Sequence, residues 1–234
     1  MKLKEMMKHF FLLYGRRNRI FLPSLRDRID FLNLGIGDLE EAIRKEVSIQ
    51  YFNIALARIV ARIFCITEHF QELPLVEFMA RKYPSRYCSY CHQFPCQCPE
   101  KRPDAKLAES ISDEQLDWSL KRWFFHFQAL YGDRNRAKGV ENILNRLFKE
   151  ISELLSLEMR ISHLAGSLDE IEKEFALELA DALAWTSAVA NFFRIDLEKA
   201  VLERYGSGCW NCHFIPCRCT NFNLEPVKWP TERR

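Results

Sequence analysis

At 234 residues the chain is long enough for one large domain or two of about 110 residues, length being only a soft guide to domain number. Nearly half of it is hydrophobic, with 18 Phe and 5 Trp, so a sizeable core can be buried; scarce glycine and abundant Leu, Ala, Glu, Lys and Arg point to an all-α chain. Lys and Arg total 34 against 32 acidic residues, a near-balance that gives no reason to expect wholesale nucleic-acid binding and leaves only local basic patches.

The N-terminus is charged, but the apolar run from Phe10 to Tyr14 is too short for a secretory core and no small-residue cleavage pattern follows. No stretch approaches the 18 or so uninterrupted apolar residues of a membrane span, so a soluble, cytoplasmic protein without a membrane partner is expected. In such a compartment the nine cysteines need an explanation other than disulfides. Cys65, in an apolar helical run, reads as a core thiol. The other eight form two identical patterns, Cys88-x2-Cys91-x4-Cys96-x-Cys98 and Cys209-x2-Cys212-x4-Cys217-x-Cys219. Four thiolates so closely spaced suit a closed, structural Zn²⁺ site, and two zinc ions per chain are expected. Cys88-x-x-Cys91-His92 and Cys209-x-x-Cys212-His213 also match a haem-attachment pattern, disfavoured by the two further cysteines behind each.

The repetition extends beyond the cysteines. His9-Phe-Phe-Leu-Leu-Tyr-Gly-Arg-Arg-Asn-Arg19 answers His126-Phe-Gln-Ala-Leu-Tyr-Gly-Asp-Arg-Asn-Arg136 at an offset of 117, and the cysteine patterns are offset by 121. Residues 1–98 and 114–221 therefore read as a tandem duplication, with 99–113 a polar, proline-punctuated linker and 222–234 a tail. Each unit should be a short helical bundle ending in a cysteine knuckle. In the second, helices are expected over Asp113 to Tyr131, Val140 to Ser162, a short one from Leu168 running into Phe175 to Phe193, and a last one from Asp196 as cap to Arg204.

Glu150 and Glu153 lie three residues apart on one helix face, and Glu178 and Asp181 repeat the spacing on a second helix. Either pair alone reads as solvated charge. Packed side by side, the two would converge four carboxylates, an arrangement that calls for a hard cation such as Mg²⁺. The first unit lacks them: an offset of 117 places Asn33 and Ile36 opposite the first pair, or, shifted by two, Gly35 and Asp38; an offset of 122 places Leu56 and Ile59 opposite the second. In either register the second acidic helix has become apolar.

On Lys149-Glu150-Ile-Ser-Glu153 and Glu178-Leu-Ala-Asp181, with Tyr131-Gly-Asp-Arg-Asn-Arg-Ala-Lys-Gly139 before and Leu183-Ala-Trp-Thr-Ser-Ala-Val-Ala-Asn191 after, the second unit resembles the MazG-like all-α nucleoside triphosphate pyrophosphohydrolases, whose motif is E-E-x-x-E followed by E-x-x-D. The resemblance covers roughly residues 118 to 220, the first unit sharing it only as scaffold. It implies Mg²⁺ (or Mn²⁺) held by Glu150, Glu153, Glu178 and Asp181, and hydrolysis of a nucleoside triphosphate to monophosphate and pyrophosphate, with one carboxylate a candidate general base. Lys149 departs from the motif, reversing a charge beside a ligand. Arg134, Arg136 and Lys138 are candidate phosphate-binding residues, Trp185 a candidate base-stacking residue and Asn191 a candidate for a base edge or sugar; each has an ordinary structural reading too. His126, which recurs as His9, is expected to pack or hydrogen-bond. The first unit is expected to complete the second as an intramolecular pseudo-dimer, with Arg16, Arg17, Arg19 or Arg28 reaching the phosphates, and a homo-oligomer is possible. A non-catalytic zinc-bearing adaptor is the alternative function.

Overall fold

The structure is a computed structural model that describes residues 1–70, 73–99, 104–163 and 167–221; the expected tail and part of the linker lie outside the described residues. Eight helices form it, with no strand among the described residues: α1 (Leu3–Phe21), α2 (Leu25–Arg44), α3 (Ile49–His69), α4 (Leu75–Lys82), α5 (Asp113–Leu116), α6 (Leu120–Ser162), α7 (Leu168–Phe192) and α8 (Leu197–Tyr205).

Periodicity and caps account for the elements. Leu3, Met6, Met7, Phe10, Leu13 and Tyr14 recur at three- and four-residue steps and bury one face of α1. Ser24 opens α2 with a reciprocal box: the Asp27 amide donates to the Ser24 hydroxyl oxygen, and the Ser24 amide to the Asp27 carboxylate, both at 3.0 Å. Asp196 caps α8 as expected, accepting from the Lys199 amide. α3 alone among the described helices is long and apolar enough to cross a membrane, yet 67% of that stretch is buried inside the bundle and it carries Arg58 and Arg62.

Two expectations change. Asp113 to Tyr131 is not one helix: α5 stops at Leu116 and α6 starts at Leu120, because the Leu3 amide takes the Trp118 carbonyl (2.9 Å) and the Ser119 hydroxyl caps the new helix through the Arg122 amide. The helix expected from Val140 is the second arm of α6, joined to the first at Gly139, whose φ of 78° and ψ of 165° only glycine adopts readily.

The two repeated segments do not form separate cores. α3 packs on α8 and α4 on α7, and the buried residues of both segments belong to one cluster. Contacts between them come in matching pairs. The Cys96 amide donates to the Leu130 carbonyl (2.9 Å) and the Cys217 amide to the Leu13 carbonyl (2.8 Å). The histidines differ: His9 Nε2 lies 2.9 Å from the Tyr205 carbonyl, whereas His126 packs among Trp118, Trp123 and Phe127 with its Nε2 buried and without a hydrogen-bond partner. Tyr205 meets Phe10 edge-on at 5.2 Å, and Tyr83 meets Phe127 at 5.0 Å. Each cysteine-bearing tail is therefore seated on the other segment, the first on α6 and the second on α1; His9 hydrogen-bonds and His126 packs, the two roles expected of them. Residues 104–112 of the polar linker lie along α4, held by bonds such as Ala108 amide to Arg81 carbonyl (2.9 Å).

Candidate functional site

The second arm of α6 lies against α7, and the packing brings their acidic pairs together. Oxygens of Glu150, Glu153 and Glu178 all fall within 4.8 Å of one another. They open into a cavity of about 390 Å³ that Asp181 also lines. Glu150 is 4% exposed; its Oε1 accepts from the Trp185 indole N–H at 3.2 Å, while its Oε2 is buried with no hydrogen-bond partner. Burial, and then the charges of Asp181 and Glu178, push the Glu150 carboxyl up to about 10. Burial raises Glu178 as well. Glu153 moves the other way: burial opposes ionisation, but the bond from the Lys149 ammonium holds its carboxyl low.

Asp181 stands slightly apart, with both oxygens engaged. Lys82 Nζ is 2.8 Å from its Oδ2, and the buried Tyr83 hydroxyl donates to its Oδ1. Lys82 and Tyr83 end α4, so the first segment does reach the acids of the second. It does so with these residues and with Tyr90 of the first cysteine cluster rather than with the four expected arginines. Arg28 is consumed by the Leu22 and Cys65 carbonyls and Glu68, Arg19 pairs with Glu68 at 3.1 Å, Arg17 lies over the Tyr14 ring in a different cavity, and Arg16 is exposed.

The wall facing the acids is basic. Arg134 and Lys138 line it as expected, one turn apart, followed at four-residue steps by Asn142, Arg146 and Glu150. Arg136 does not, because two residues beyond Arg134 it points about 200° round the helix; it pairs with Asp133 at 2.5 Å. Asn191 is likewise off the Trp185 face, donating to the Phe124 carbonyl at 3.4 Å in a separate crevice. Trp185 does line the cavity, with its indole N–H committed to Glu150. Asn135, Asn142, Arg146, Lys82, Tyr83 and Tyr90 were missed; Arg146, one turn before Glu150, carried a visible signal.

Two of the four acids are directly paired, Glu153 with Lys149 and Asp181 with Lys82. The clustered oxygens of Glu150, Glu153 and Glu178, with Glu150 Oε2 buried and without a hydrogen-bond partner, could hold one divalent cation bound through oxygen.

Each cysteine quartet also closes on a single point. Sγ–Sγ separations of 3.7 Å (Cys88–Cys98), 3.5 Å (Cys209–Cys217), 3.8 Å (Cys209–Cys219) and 3.9 Å (Cys212–Cys217) bracket the edge of about 3.8 Å that a tetrahedron of sulfurs about 2.3 Å from zinc requires. No disulfide forms. The Gln97 and Arg218 amides point at Cys91 and Cys212 sulfurs (3.4 and 3.3 Å), as donors to a thiolate do. His92 and His213 turn the chain through left-handed backbone, φ 57° and 60°, and Gly208 enters the second quartet at φ 139° where a Cβ would lie 2.6 Å from the His213 carbonyl oxygen. Both quartets can hold zinc; the histidines are not needed. Cys65 is buried, as expected, its thiol pushed up to about 12.

A second, smaller cavity lies where the first segment meets the second, lined by Arg58, Ala61 and Cys65 of α3 and Arg17 and Asn18 of α1, with Tyr205 and Trp210 on its other side. The α3 residues sit at an offset of 120 from Glu178, Asp181 and Trp185, and those of α1 at 117 from Arg134 and Asn135. Leu56 and Ile59, expected opposite the acids, are instead wholly buried in the core. That helix is not uniformly apolar at the cavity: it presents arginines. Asp38 pairs with Arg58 and Arg62, and Arg62 packs against Gly35, so Gly35 and Asp38 are the residues that occupy the place of Glu150 and Glu153.

Comparison with protein-family models, curated proteins and solved structures finds no match to this chain.

Proposed function

We propose that the chain is a Mg²⁺- or Mn²⁺-dependent nucleoside triphosphate pyrophosphohydrolase of the MazG-like kind, built by tandem duplication, with its active cavity in the second unit and a pseudo-subunit in the first. One observation carries the reading: three carboxylates whose oxygens lie within 4.8 Å of one another, that of Glu150 buried, open into the same cavity as Arg134, Lys138 and Arg146. An acidic floor under a basic wall complements a metal-bound polyphosphate, which presents a cation and anionic oxygens together.

Glu150, Glu153 and Glu178 would hold the ion. When bound, it would neutralise charge on the phosphate oxygens and lower the pKa of an attacking water. Arg134, Lys138 and Arg146 hold the phosphate chain against the wall, Arg through its fork of donors and Lys as a point charge. Trp185 orients the Glu150 carboxyl through its N–H. Lys82 and Tyr83 hold Asp181, which acts as a positioning residue because both its oxygens are already taken. This contribution of α4, and the paired contacts between segments, support the pseudo-dimer. The quartets are read as two structural Zn²⁺ sites that pin each unit's tail to the other.

A second reading has its own support: Phe94, Phe214 and Ile215, at the tips of the cysteine quartets, are 45%, 49% and 47% exposed, apolar surface that a zinc-bearing adaptor would offer to a partner. Pyrophosphate release from a panel of nucleoside triphosphates with Mg²⁺ or Mn²⁺ separates the two. Wild type should release it, and Glu150→Gln and Glu178→Gln should not. Equal background from all three removes the enzyme.

A further inference from the structure

In the first segment's cavity the charge is inverted. Where the second cavity has Glu178, this one has Arg58; where the second has Glu150, this one has Gly35 with the Arg62 guanidinium pressed against it, so that a Cβ there would lie 2.3 Å from Arg62 Nη1. Arg17 completes the cationic wall. Arg204 of α8 stands where Lys82 does in the other half, 5.0 Å over the Trp210 ring at the cavity edge, but Ala61 replaces the aspartate that Lys82 finds. Asp38 Oδ2 is 4.0 Å from Arg62 Nη2, too long for the charge-assisted hydrogen bond of about 2.8 Å that arginine makes with a carboxylate. Arg62, which lines the cavity, has its Nη1 buried without a hydrogen-bond partner and its side chain 8% exposed. A buried guanidinium donor left unmatched beside a cavity calls for an anion. The cavity, about 50 Å³, is several times the ~10–15 Å³ that one water needs, room for a single tetrahedral oxyanion.

We propose that this cavity is a binding site for a phosphate group, held by Arg58 and Arg62 of α3 with Arg17 of α1. Trp210 also lines a neighbouring open cavity of about 400 Å³. The phosphate is therefore either free or the end of a nucleotide whose nucleoside lies beyond that ring.

The test is titration calorimetry of the full-length, zinc-loaded protein with inorganic phosphate, and separately with a nucleoside monophosphate, at matched ionic strength and with no magnesium added. One phosphate per chain is expected. Tighter binding of the monophosphate assigns the group to a nucleotide, and equal binding assigns it to free phosphate. Arg62→Gln should weaken phosphate at least tenfold. Gly35→Ala, a substitution that favours helix but displaces the Arg62 head, should do the same in a folded protein. Unchanged affinity in Gly35→Ala, no more heat from phosphate than from chloride, or loss on Arg146→Gln with Arg62→Gln unaffected, overturns the proposal. The hydrolase reading is tested separately, by pyrophosphate release.

Discussion

Lys149 is the residue on which the metal reading is most exposed, and replacing it with Gln gives a quantitative test. The ammonium bonds Glu153, one of the three clustered acids, and lines the cavity. Its side chain is 51% exposed and that of Glu153 39%, so the pair contributes only about 0.3–0.5 kcal/mol to stability, the range for exposed ion pairs one helical turn apart. Its effect on a bound cation is larger. An ion coordinated by Glu153 lies about 4 Å from the ammonium, where like unit charges repel by about 1 kcal/mol in water and about 4 kcal/mol near a protein surface, doubled for a divalent ion. With the ammonium half exposed the lower figure applies, giving about 2 kcal/mol, or roughly thirtyfold in affinity. Lys149→Gln should therefore bind Mn²⁺ about thirtyfold more tightly than wild type by titration calorimetry, while its Tm moves by no more than a degree or two. Mn²⁺ affinity that is unchanged or weaker would show that no ion sits among Glu150, Glu153 and Glu178.

Four other outcomes are expected. Burial among Trp118, Trp123 and Phe127 holds His126 down at about 4 against 6.5 unfolded, so the unfolded chain binds the extra proton between those values; stability is intact above pH 6.5 and falls by up to about 3 kcal/mol as pH drops towards 4, a slope that denaturant melts of His126→Gln should lack. Metal analysis should find two zinc ions per chain, and chelation should lower the melting temperature of the whole chain in one transition, because each quartet is bonded to a helix of the opposite segment. Gly139→Ala places a side chain at φ 78° and ψ 165° and should cost about 1–3 kcal/mol in a denaturant melt, with the cavity's basic wall displaced from its acids. Residues 104–234 expressed alone lose Lys82, Tyr83 and the surface that covers α7, and should show no cooperative unfolding, whereas a chain nicked within the linker should keep it.

What was readable in the sequence was what lies within one helix or one loop. The cysteine spacing specifies the quartets because all four ligands fall in one turn-rich loop, and the spacing of Glu150 with Glu153 places both on one face by helix geometry alone. The cap at Asp196 is local for the same reason. What was lost is contact at long range. Nothing around Lys82 and Tyr83 announces that α4 will lie on α7, and Tyr90 is an ordinary residue between two cysteines. The break at Trp118 arises from the amide of Leu3, over a hundred residues away. The register of α3 failed for another reason: a helix buried on nearly every side has no polar face to anchor an alignment, and only the cavity shows that residue 58, not 56, stands opposite Glu178.

That register puts a packing condition on residue 35. Replacing a buried glutamate by glycine would leave a hole of side-chain size between α2 and α3, and a cavity of that kind costs several kcal/mol unless something fills it. Arg62 fills it: its guanidinium sits within 2.3 Å of where a Gly35 Cβ would be and stacks on the Phe31 ring at 4.1 Å. Glycine at 35 and arginine at 62 therefore depend on each other, since any side chain at 35 expels the arginine and any smaller residue at 62 reopens the hole. The helical packing, not the chemistry of the cavity, is what the two halves have in common.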